Sequence, residues 1–67
     1  MREMLIDALK NKYMGIIAEC EANIEVYLQN PVGIGENPDI IAALDSQMTI
    51  LAEAEDKLTA LEIFGKK

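Results

Sequence analysis

Sixty-seven residues leave room for one domain, and a chain this short buries too little of its own surface to be comfortably stable alone, so it needs a disulfide, a metal or company. One cysteine excludes an internal disulfide, and the absence of histidine excludes the Glu-x-x-His pairs of a di-iron bundle. Twelve acidic side chains against six basic ones disfavour direct binding to a nucleic-acid backbone and make a basic protein the more natural partner.

The chain begins MREMLIDALKNKYM, which lacks the uninterrupted apolar run of a signal peptide, and no later stretch approaches the roughly 18 apolar residues of a membrane span. A soluble, cytoplasmic protein with no membrane partner is expected. Apolar residues then recur at helical spacing through Ile6, Leu9, Tyr13, Ile16, Ile17, Cys20, Ile24, Tyr27 and Leu28, which predicts one amphipathic helix over residues 2–29. Cys20 lies within that stripe between Glu19 and Glu21, two neighbours that disfavour a thiolate, so it reads as a small hydrophobe rather than a nucleophile. A second line of small and apolar residues, Met4, Ala8, Gly15, Ala18, Ala22 and Val26, runs along the opposite face. It fits a solvent face and a second helix contact equally well, although Gly15 costs roughly 1 kcal/mol in a helix interior and invites a packing reason.

Asn30-Pro31 ends the first helix, because proline disfavours helical geometry in the residue before it, and Gly33 and Gly35 release the chain into a turn. Gly-Ile-Gly lacks the third glycine, the Gly-Lys-Ser/Thr ending, a preceding strand and any basic residue, and Glu36 and Asp39 would repel a phosphate. The segment is a turn, with Val32 and Ile34 expected to cap the end of the core rather than meet a partner. Asn37 is expected as the N-cap of the next helix and Pro38 as its first residue.

The second helix is predicted over residues 38–64, with a stripe of Ile40, Ile41, Leu44, Met48, Leu51, Ala54, Leu58 and Leu61 and a stop at Gly65. Folding the two helices antiparallel about residue 34 puts residue i roughly opposite residue 68 minus i. Layers then follow in order, Ile6 with Leu61, Leu9 with Leu58, Tyr13 with Ala54, Ile16 and Ile17 with Leu51, Cys20 with Met48, Ile24 with Leu44, and Leu28 with Ile40. Glu55 falls on the stripe at the level of Tyr13 and is expected to accept a hydrogen bond from its hydroxyl. Asn23 and Gln47, on the flanks of the stripes, are expected as water-exposed rim residues, with fixing the register of an oligomer as the alternative.

Glu19, Glu21, Glu25, Glu53, Glu55 and Asp56 share one half of the hairpin, but the linked acidic motifs of bundle-type nucleotide pyrophosphatases are absent. No catalytic, cofactor-binding or metal-binding residue is expected. The charges are nonetheless segregated. Arg2, Lys10, Lys12, Lys57, Lys66 and Lys67 all fall at the open end, and residues 13–56 hold nine acids and no base.

The turn NPVGIGENPDI and the following AEAEDKL resemble short uncharacterised helical proteins of tailed phages of marine bacteria. That resemblance implies a phage accessory protein in the cytoplasm of a bacterial host and brings no functional residues with it.

The expectation is an all-α, single-domain hairpin over residues 1–67 that assembles into a four-helix bundle, most simply as a dimer of hairpins with reversed ends. Its expected role is a non-enzymatic interaction or structural module. The alternative is a small acidic inhibitor or nucleic-acid mimic filling the basic site of a host enzyme, which requires its acids in ordered rows on one face.

Overall fold

Both apolar stripes become helices in the computed structural model, which describes residues 1–29 and 39–67. α1 spans Arg2–Gln29 and α2 spans Ile40–Gly65, packed against each other as a hairpin, with no strand among the described residues. α1 opens with the Leu5 amide donating to the Met1 carbonyl at 3.1 Å. α2 opens two residues later than expected. Its N-cap is Asp39, whose side-chain Oδ1 accepts from the Ala42 amide at 3.0 Å and so satisfies one of the donors a helix start leaves unpaired. Asn37, Pro38 and the apolar pair Val32 and Ile34 lie outside the described residues. At the far end the Lys66 and Lys67 amides donate to the Ile63 and Phe64 carbonyls, tightening the last turn.

The hairpin is a rod, with extents of 48 × 15 × 14 Å and a radius of gyration of 15.2 Å. A compact chain of this length would have a radius of gyration near ~11 Å. Cross-strand neighbours show the direction of packing. Asn23 near the end of α1 bonds Gln47 near the start of α2, while a Cβ placed on Gly65 would sit 3.8 Å from Ile6 Cδ1. The helices are therefore antiparallel, as expected, but the register is displaced. Asn23 meets Gln47 rather than Asp45, and Ile6 meets Gly65 rather than Glu62, a slide of two to three residues or about 3–5 Å along the axis.

The seam contains the half-buried Ile6, Tyr13, Ile16, Ile17, Asn23, Ile24 and Tyr27 of α1 around a buried Cys20. From α2 come Ile40, Leu44, Gln47, Leu51, Leu58, Leu61 and Gly65 around a buried Ala54. Positions 40, 44, 47, 51, 54, 58, 61 and 65 alternate steps of four and three, the spacing of a coiled-coil seam. Cys20 and Ala54 are each only 3% exposed, because small side chains at the centre of a helix contact are covered by their larger neighbours. Four expected core residues are outside: Leu9 and Leu28 of α1, and Ile41 and Met48 of α2, which are all exposed. The expected Cys20–Met48 and Leu28–Ile40 layers are thereby replaced. Met48 stands one position past the four-three seam, about 100° around the helix from Gln47, so the residue that enters is the polar one.

Candidate interaction surface

A shallow depression of about 100 Å³ opens between Tyr13, Ile16, Ile50, Glu53, Ala54 and Lys57, smaller than the roughly 300–1,000 Å³ of ordinary ligand pockets. Lys57 Nζ sits 3.1 Å from Glu53 Oε1 at its rim, an exposed pair of the kind worth ~0.3–0.5 kcal/mol. Glu55 was expected to face Tyr13. It is instead exposed, and no hydrogen bond joins the two among the described residues, since the four-three seam turns position 55 outward. Glu19, Glu21, Glu25, Glu53 and Asp56 are exposed as well, and no three His, Cys, Asp or Glu among the described residues converge as a metal site would require. Cys20 is a free thiol within the helix contact.

Asn23 and Gln47 form the seam's polar layer. Asn23 Nδ2 donates to Gln47 Oε1 at 3.2 Å, both residues half-buried, which corrects the expectation that they lie on the rim. The seam spacing of α2 was the signal for this placement, because it puts position 47 between Leu44 and Leu51 on the inner face.

What distinguishes the surface is apolar area combined with segregated charge. One broad face carries Ile50, Glu53 and Lys57, which share the depression with Ile16. Lys12 and Glu19 flank Ile16 at four and three residues and therefore lie on the same side, and Leu5 and Val26 continue their line at seven-residue intervals. The opposite face is more apolar towards the turn. There Leu28, Ile41 and Met48 are exposed beside the half-buried Ile17 and Ile24, with Ile41 reaching 72%. Met4, Ala8, Gly15, Ala18, Ala22 and Val26 are also all exposed, and a Cβ on Gly15 would meet nothing within 4 Å, so the hairpin itself supplies no packing reason for that glycine.

No described helix is long and apolar enough to cross a membrane. No protein-family model, curated protein or solved structure matches the chain.

Proposed function

We propose that this chain is a non-enzymatic interaction module that works as a dimer of hairpins, completing a four-helix bundle. The observation that carries the reading is surface area. A compact protein of 7.4 kDa exposes about 4,200 Å². This hairpin exposes 5198 Å², roughly 1,000 Å² more, and a standard protein–protein interface removes about 800 Å² from each partner. Among the described residues only Cys20 and Ala54 are buried, whereas Leu5, Val26, Ile41, Phe64 and others stand exposed. Pairing would cover such side chains at ~25 cal/mol per Å² of apolar surface, the same term that a single hairpin leaves unused.

Reversed pairing suits the charges. With both termini at one end of the rod, all six basic side chains lie in that half and the turn half is acidic, so parallel copies would stack like charge on like. The resemblance of the turn segment further suggests a phage accessory role inside an infected bacterium. The acidic, apolar turn half leaves a surface suited to a basic protein partner.

Light scattering on a sizing column at low and at high salt tests the reading. A dimer that loosens somewhat as salt rises is expected. A folded monomer at every salt and concentration would overturn self-association, and a dimer indifferent to salt would overturn the electrostatic part alone.

A further inference from the structure

We propose that the dimer forms through one particular face, the one that bears Lys12 and Glu19 of α1 with Glu53 and Lys57 of α2, and that its occupant is a second copy laid antiparallel. This rests on the self-association reading above and adds to it the surface and the pairing.

The face is self-complementary when reversed. Along α1 the residues at seven-residue intervals read Leu5, Lys12, Glu19 and Val26: apolar, positive, negative, apolar. The midpoint of that series is also the midpoint of α1, between Gly15 and Ile16. A copy turned end for end about that point sets Leu5 against the partner's Val26 and Lys12 against the partner's Glu19, and the two-fold repeats each contact. All four side chains are exposed in the single hairpin and free to meet a partner.

On α2 the ion-pair residues Lys57 and Glu53 straddle the same centre. In the register that pairs Asn23 with Gln47, Lys57 stands level with Tyr13 and Glu53 level with Ile17, on either side of the α1 midpoint. A two-fold axis lying in the interface and crossing the rod keeps α1 over α1 and α2 over α2. Lys57 then faces the partner's Glu53 within one residue. The rim ion pair between Lys57 and Glu53 can exchange for a crossed pair at little cost, since both groups are more than half exposed.

The opposite face does not pass this test. Ile41 and Met48 stand level with positions 29 and 22 of α1, near Leu28 and Ile24, so much of the apolar area is displaced towards the turn. A full-length reversed copy would lay it over the charged Asp7, Lys10 and Glu62 of the open end. Sliding the copies to overlap the apolar parts would stack two acidic halves.

Charge exchange at one position tests the proposal. Lys12→Glu replaces two attractive contacts by two repulsive ones, and the dimer dissociation constant should rise about tenfold or more at low salt. Adding Glu19→Lys in the same chain reverses both partners of each contact and should restore the constant to near its starting value, with helix content by circular dichroism unchanged throughout. A wild-type dimer that Lys12→Glu leaves equally tight would place the contact on another face while leaving self-association intact. Failure of the double variant to recover would overturn the pairing. A wild-type chain that stays monomeric would remove this inference together with the reading it rests on.

Discussion

The half of the rod that holds the two termini and the half that leads into the turn are built on the same seam spacing but use it differently. In the terminal half the seam is apolar throughout, with Ile6 against Gly65 and with Tyr13, Leu58 and Leu61 closing the contact, and the basic side chains ring the outside. In the turn half the seam admits Asn23 and Gln47, while Met48, Ile41, Leu28 and Val26 stand outside among acids. The terminal half thus concentrates its apolar burial within the hairpin. The turn half gives up part of that burial for a hydrogen-bonded polar pair, and fixing register is the role best attested for a buried polar residue in paired helices. A hairpin with few fully buried side chains gains from such a pair, because a slide of one turn along a purely apolar seam costs little.

The largest effect is expected where the two halves meet. Ala54→Asp would put a short carboxylate, unable to reach water along a flexible stem, at a site only 3% exposed, at a cost of about 3–5 kcal/mol. That is most of the stability of any small domain, so far-ultraviolet circular dichroism should show loss of helix at room temperature. Retained helicity with an unchanged melting temperature would mean that the two helices do not meet at Ala54.

A smaller effect of opposite sign is expected on removing the difference between the halves. Asn23→Leu with Gln47→Leu makes the seam apolar throughout and should raise stability by about 1–2 kcal/mol, read as a higher urea midpoint. The same variant should broaden the amide resonances of the turn half as alternative registers become populated. Spectra as sharp as the wild type would show that the polar pair does not set the register. The smallest effect is local to the turn half. Asp39→Ala removes the acceptor for the Ala42 amide and should cost about 1 kcal/mol, with faster amide exchange confined to the first turn of α2. Unchanged exchange there would deny Asp39 its capping role.

Much of this was legible from residue order. The stripe of α1 predicted its span, and proline at position 31 predicted where it stops. Cys20 and Ala54, both assigned to the core, are the two buried residues among those described. Met48, Ile41 and Leu28 share a cause, whereas Leu9 lies on the seam spacing between Ile6 and Tyr13 and is nonetheless 37% exposed. A 3.6-residue stripe drawn through apolar residues alone prefers Met48 to Gln47 and admits Ile41 and Leu28, whereas a helix facing one partner along its whole length is held to alternating steps of four and three. Glu55 followed the same error, having been drawn inward by the stripe that took Met48.

By itself, residue order determined the number of helices, their antiparallel arrangement, and the gathering of every basic side chain in one half of the molecule, because periodicity and helix-stop chemistry are local and charge order along the chain survives folding. The tertiary structure alone decided which rows face each other. The register is marked by a hydrogen bond between residues 24 positions apart, and such a contact has no signature within either helix.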